Sequence, residues 1–184
     1  MPENGADVAH LNFLHTPFAT HSKFLQQLLN HKWKAEWAPG KGDQAHMGLM
    51  DLEEVVTFFG WRIPFTTVNV KVVQQGPGLV FHNYYTPFGR CIVMETVTPM
   101  KPLLQRACHM IYSEWMMPRF VAKIILAATI LQFERDVPIW NNKTFLPKPV
   151  VVKGDGPIPA FRRWYRQFYS ESSDKYRGNV GPDW

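Results

Sequence analysis

Cysteine is nearly absent from this chain: among 184 residues, only Cys91 and Cys108 carry a thiol. Two thiols cannot build a disulfide framework or a four-thiolate site, so reduced, buried side chains are expected. Long apolar runs are lacking as well. The most apolar stretch, FVAKIILAATILQF at 120 to 133, is too short to span a bilayer and carries Lys123, which favours a buried helix. The first twenty residues hold Glu3, Asp7 and two histidines where a signal peptide would have its apolar segment. The chain itself is therefore expected to be soluble and intracellular. Dense charge of one sign is also missing. The net charge is +5 and the isoelectric point about 9.3, yet Lys and Arg are dispersed apart from Arg162, Arg163 and Arg166. This argues against a nucleic-acid partner and leaves an acidic protein partner compatible with the charge.

What is present is core material. Hydrophobic residues make up 46% and aromatics 14%, with seven Trp and thirteen Phe. That composition is globular, and the length suits one domain over 1–184. No internal repeat or second domain is apparent.

The chain reads as a helix from Asn4 or Asp7 through Leu14, ending near His15 because Pro17 disfavours helical geometry at Thr16. Phe24, Leu25, Leu28 and Leu29 give a second short helix within 20 to 30. His31, Trp33, Ala35 and Trp37 alternate with charged residues, as in a strand, and a loop follows to 48. Strand-like runs at 65–73, 78–86 and 89–98 suggest an antiparallel meander. A long helix should start near Pro118 and finish around Asp136 or Val137, because of Pro138. After a Pro-rich link, PAFRRWYRQFYSES predicts a final helix with Phe161, Trp164, Tyr165 and Phe168 on its apolar side. The tail from about 175 is expected to be loose. The sum is an α+β fold, an antiparallel sheet gripped by a long helix, with helices at both ends.

Asp7, His10 and His15 stand in the spacing D-x2-H-x4-H, with Asn4 just upstream. Neutral imidazole is a common ligand for iron and zinc. On a regular helix, however, positions i and i+5 lie about 140° apart, so His10 and His15 cannot reach one metal unless the helix breaks. Metal ligands and surface or capping histidines both remain open on spacing alone. His21, His31, His46, His82 and His109 show no paired spacing, and each reads as a satisfied polar residue. Asp136, at the end of the apolar helix, could pair with Arg135 or Lys143.

Two stretches go further. NGADVAHLNFLH resembles the iron-binding motif of Rieske non-haem iron oxygenases. Residues 132 to 170 carry D-x-x-I-W, then K-P, then D-G-P-I, then R-R-W-Y-x-Q-F-Y. This run resembles the branch containing the 3-ketosteroid 9α-hydroxylase oxygenases and the animal cholesterol 7-desaturases, the latter type more closely. The resemblance covers the family's catalytic half and implies a helix-grip (START/Bet v1-like) domain. It implies mononuclear non-haem Fe(II) held by His10, His15 and Asp136. Asp7 corresponds to the acidic residue that bridges electron transfer from the neighbouring subunit's Rieske cluster, and Asn4 lies near a family asparagine beside the iron.

The implied activity is an oxidoreductase that uses dioxygen to desaturate or hydroxylate a sterol ring. Electrons would come from NAD(P)H through a reductase and a 2Fe–2S Rieske cluster, in a homotrimer. Phe13, Phe81, Tyr84, Trp115 and Met116 are candidate substrate-lining residues, each also readable as plain core. The C-x-H and C-x2-H pairs that ligate a Rieske cluster do not occur in this chain. The expectation is therefore a fragment, truncated isoform or incomplete gene model needing a Rieske domain upstream or in trans. Full-length animal members would be anchored in the endoplasmic reticulum membrane. A non-catalytic lipid- or sterol-binding helix-grip module is the competing reading.

Overall fold

Strand-forming alternation at 31 to 37 extends in the computed structural model to β1, Leu29–Pro39, the first edge of a seven-stranded antiparallel sheet. The structure describes residues 2–101, 104–144, 146, 150, 152 and 155–171. After β1 come β2 (Met47–Phe58), β3 (Trp61–Arg62), β4 (Val68–Gln75), β5 (Leu79–Thr86), β6 (Gly89–Lys101) and β7 (Leu104–Ser113). Their order across the sheet is β1-β2-β4-β5-β6-β7, with the short β3 paired to β2. The three expected strands of the meander are β4, β5 and β6. The expected loose tail lies outside the described residues.

Two long strands, β2 and β7, were not foreseen. In β2 the inward positions Gly48, Met50, Leu52, Glu54 and Val56 include an acid and a glycine, so neither face shows clean apolar alternation. In β7 the polar His109 occupies an inward position, opposite Glu95. A strand that puts ionisable groups inside is invisible to a hydrophobicity rule.

Among the described residues four α-helices complete the fold: α1 (Leu11–Leu14), α2 (Lys23–Leu28), α3 (Arg119–Asn142) and α4 (Ile158–Tyr165). The first expected helix is in fact two 3-10 turns, Pro2–Ala6 and Val8–His10, followed by the single turn of α1. The last helix is shorter than expected and ends in a 3-10 turn, Arg166–Phe168. The long helix overruns the end assigned to it, for Pro138 lies inside α3. Proline gives up one hydrogen bond, but its fixed φ suits a helix. The Asn142 side-chain amide donates to the Pro138 carbonyl at 2.7 Å. The extra turn carries Trp140, whose ring sits 5.0 Å from that of Phe133. Packing thus overrides the local preference. No helix among the described residues is long and apolar enough to cross a membrane.

The helix lies across the concave face of the sheet. Cys91, Met117 and Ala122 are buried together at its start, against Tyr84, Ile111 and Ile125. A second core of Ala6, Trp37, Phe161 and Trp164 joins both ends of the described chain to β1. Gly48 allows this junction, because a Cβ there would lie 3.1 Å from Trp37 Nε1 and 3.4 Å from the Trp164 ring. Between the two cores, sheet and helix enclose a cavity of about 660 Å³.

Candidate metal centre

The geometry that a continuous helix forbids is reached by breaking it. His10 ends a 3-10 turn, and His15 follows α1 at φ −100° and ψ 8°, outside the helix. The chain is then taken over by β1: Thr16 O accepts from His31 N at 2.6 Å, and Pro17 bridges to Asn30. The Asn12 side chain bonds the Trp33 backbone at both N and O, and Trp33 Nε1 donates to His15 O at 3.1 Å. The two imidazole rings come to rest 5.0 Å apart.

Asp136 meets them from α3. One nitrogen of each histidine and a carboxylate oxygen lie within 4.8 Å of one another. The surroundings fix what those atoms carry. The His10 Nδ1–H donates to the Asp7 carbonyl, which can only accept. Gln132 Oε1 accepts from the donor-only Arg135 guanidinium at 2.8 Å, so His15 Nδ1, 2.9 Å away, must donate to it as well. Asn4 Nδ2 donates to Asp136 Oδ2 at 2.9 Å and faces His10 Nε2 at 3.3 Å. The His15 Nε2 lone pair is thereby turned toward Asp136 Oδ1 at 3.2 Å, while His10 Nε2 accepts from Asn4 Nδ2 and stands 3.9 Å from the same oxygen. That oxygen is buried and has no hydrogen-bond partner. A buried acceptor facing two further acceptors is costly unless a cation stands among them. Two imidazole nitrogens and one carboxylate fit a divalent transition metal, with positions left for other ligands.

Neither ion pair considered for Asp136 from sequence forms. Arg135 donates to the carbonyls of Pro17 and Phe18 and to Gln132. Lys143 pairs with Glu3 at 3.5 Å, and Arg162 holds Glu3 at 2.5 and 3.0 Å, tying the first 3-10 turn to α4. Burial pushes the Glu3 carboxyl up, but Arg162 and Lys143 outweigh it and hold it below its ordinary range.

Sequence reasoning missed Gln132, although it stands four residues before Asp136, on the same helix face. Outer partners of this kind fix ligand orientation and are worth about 10- to 100-fold in metal affinity. Gln132→Leu is expected to weaken Fe(II) binding by that amount, measured by anaerobic titration, with unfolding cooperativity retained.

Of the candidate lining residues, only Tyr84 faces the main cavity. Its hydroxyl lies 2.9 Å from Thr129 Oγ1, which donates to Ile125 O, so the phenol donates and stays neutral. Burial raises its pKa further. Phe81 does not line the cavity: in β5 the inward residues are Val80, His82, Tyr84 and Thr86, so strand parity turns Phe81 to the other face. Trp115 and Met116 sit between β7 and α3, 92% and 70% exposed, and their neighbour Met117 is the residue that enters the core. Phe13 is 84% exposed on the outward side of α1, where it joins Asp7, Ile139 and Trp140 around a shallow outer pocket.

The cavity wall is largely aliphatic, with Val56, Val68, Val72, Val80, Val97 and Ile125. Glu95 interrupts it. Burial raises the pKa of its carboxyl, but the His109 and His82 imidazoles beside it outweigh that and bring it from 4.5 to about 2. Above about pH 4.5 the full stabilisation is present, and it is lost as the pH falls toward 2. Glu95→Gln is expected to flatten the acid limb of stability over that window, measured by urea unfolding at stepped pH.

Residues 1–169 match the 3-ketosteroid 9alpha-hydroxylase C-terminal domain. The chain is 41% identical over 193 residues to a cholesterol 7-desaturase of Xenopus laevis, covering 100% of this chain and 42% of that protein. It is 39% identical over 186 residues to the cholesterol 7-desaturase of Caenorhabditis elegans, covering 95% of this chain and 43% of that protein. The oxygenase component of the 3-ketosteroid-9-alpha-monooxygenase of Rhodococcus rhodochrous is 28% identical over 184 residues, with 94% and 44% covered. The chain thus spans somewhat over two fifths of the length of these relatives.

Proposed function

This chain belongs to the 3-ketosteroid 9alpha-hydroxylase C-terminal domain family, and from that premise we propose that it is the iron-holding, sterol-binding part of an oxygenase of the cholesterol 7-desaturase type. The observation that carries the reading is the orphaned Asp136 Oδ1, facing His10 and His15 at the edge of a large aliphatic cavity. His10, His15 and Asp136 would hold Fe(II). When bound, the iron would supply, with dioxygen, the redox chemistry that breaks an unactivated C–H bond of the sterol ring.

The chain's own residues do the rest. Gln132 and the Asp7 carbonyl hold the two imidazoles by their Nδ1 protons, and Asn4 keeps the Asp136 carboxylate oriented. The valine-lined wall excludes water and takes up the sterol rings. Tyr84 and Thr129 staple β5 to α3 over the substrate space. Asp7 borders both the cavity and the outer pocket. In this reading Asp7 would pass an electron from a 2Fe–2S Rieske cluster of a neighbouring subunit in a homotrimer, fed from NAD(P)H by a reductase. In a longer form the protein would be anchored in the endoplasmic reticulum membrane.

A chimera tests this. In the Xenopus laevis relative, the matched segment is replaced by this chain, and sterols are followed by mass spectrometry after addition of cholesterol and NADPH. The expected product carries a new double bond in the B ring, and His15→Ala in the chimera removes it. A chimera loaded with iron at both centres that leaves cholesterol unchanged counts against the proposal.

A further inference from the structure

Among the described residues, two buried acid–histidine groups face the cavity besides the metal centre, and they differ in how tightly they are closed. In the first, His31 Nδ1 meets Glu54 at 2.6 Å and Nε2 accepts from Ala19 N at 3.1 Å. Its ring also stacks between Phe18 and Trp33, so the group is closed by the short approach to Glu54, by the Ala19 N–H and by packing on both ring faces, although Nδ1 lacks hydrogen-bond geometry.

The second is slack. Glu95 on β6 stands opposite His109 on β7, with His82 on the neighbouring β5. Glu95 Oε2 lies 3.4 Å from His109 Nε2 and 3.5 Å from His82 Nε2. Neither nitrogen has a hydrogen-bond partner, although the His109 side chain is only 8% exposed. Three polar atoms therefore converge on one point of an aliphatic cavity without satisfying one another.

This point lies across the cavity from the metal centre. His15 is fastened to β1, and β5 is three strand steps away, about 14 Å measured along the sheet. Above them, α3 turns Gln132 and Asp136 to the His15 side, while Phe133 meets the His109 ring at 4.9 Å on the other flank. A rigid fused-ring ligand reaching between the two flanks would touch both.

We propose that Glu95, His82 and His109 form a subsite that binds the ring hydroxyl of a sterol and so decides which ring carbon faces His10, His15 and Asp136. This rests on the sterol reading above. A hydroxyl fits the trio because it donates to Glu95 Oε2 and accepts from an imidazole N–H. A ketone only accepts, and it leaves the Glu95 oxygen without a donor. A hydrocarbon leaves all three atoms desolvated and unpaired. The subsite accordingly selects hydroxysterols over both 3-ketosteroids and 3-deoxy analogues.

The test is equilibrium dialysis of the iron-free 184-residue chain against radiolabelled cholesterol, cholest-4-en-3-one and cholest-5-ene. Cholesterol is expected to bind about tenfold tighter than either analogue, or more. In Glu95→Met the three affinities should fall within about twofold of one another, with cholest-5-ene binding as in the parent chain, which also reports an intact cavity. His109→Phe, which keeps an aromatic ring against Phe133, serves as a second variant should Glu95→Met not fold. Equal binding of all three ligands by the parent chain overturns the subsite and leaves the sterol site standing. A cholesterol preference that survives in the variants also overturns it, since the hydroxyl would then be held elsewhere. If the parent chain binds none of the three, the sterol reading itself fails and the subsite with it.

Discussion

Asp136→Asn is expected to cut the affinity for Fe(II) on the order of 10³-fold, beyond the 10- to 100-fold of an outer partner such as Gln132, while leaving the metal-free chain as stable or more so. The second half of that result is the diagnostic one. In the metal-free chain, Asp136 Oδ1 is a buried acceptor aimed at the Nε2 lone pair of His15, with His10 Nε2, which accepts from Asn4, 3.9 Å away. Asparagine keeps the shape, lets its carbonyl accept from Asn4 as Oδ2 does now, and puts an amide donor where Oδ1 stood. A mismatch becomes a hydrogen bond, a gain of about 1 kcal/mol. Anaerobic calorimetric titration gives the first quantity and urea unfolding in chelator the second. If the carboxylate served instead as the partner of a charged His15, removing it would strip a buried pair and lower metal-free stability by about 3 kcal/mol or more.

Trp164→Ala is expected to be the costliest substitution far from the metal, at about 3–5 kcal/mol of folding stability. Trp164 is buried, its ring packs on Phe168, Phe161 and Trp37 at 5.1 to 5.8 Å, and its Nε1 donates to Ala45 O at 2.9 Å. The same cluster covers Ala6, which is fully buried in the segment carrying Asn4 and Asp7. Emptying the site removes the backing of the iron motif, so Fe(II) affinity should fall as well. The denaturant midpoint and the iron titration check the two effects on one sample. Trp61→Ala is the control: that ring is 81% exposed on β3, and its loss should cost within about 0.5 kcal/mol.

The candidate ligand set His10, His15 and Asp136 comes from the family resemblance, because spacing alone does not bring the three together. D-x2-H-x4-H contradicts a regular helix, and the structure resolves the contradiction with two 3-10 turns and a helix of four residues. The resemblance alone assigns Asp136 to the group, and the structure brings it from α3 to within 3.2 Å of His15 and 3.9 Å of His10. Pro138 misled the end of α3, because a rule about local geometry cannot weigh the packing of Trp140 on Phe133. The strands β2 and β7 escaped for the opposite reason. Their inward positions carry Glu54 and His109, polar groups that only the assembled cavity pairs. His82 and His109 looked solitary because they are 27 residues apart, and β5–β6–β7 pairing alone brings them to Glu95. Phe81, Trp115 and Met116 are apolar enough to suit a lining role, yet strand parity and a surface turn decide where such side chains point.

The candidate metal centre and the aliphatic cavity share the face of α3 around Asp136, and the proposed function requires that iron and sterol occupy them together. Electron paramagnetic resonance of the chain loaded anaerobically with Fe(II) and exposed to nitric oxide tests it most directly, recorded with and without cholesterol. The expected result is a quartet-spin signal from one iron per chain, absent in His10→Ala, whose shape changes when cholesterol fills the cavity. A chain that binds cholesterol but gives no such signal, or one whose signal ignores bound cholesterol, would contradict it.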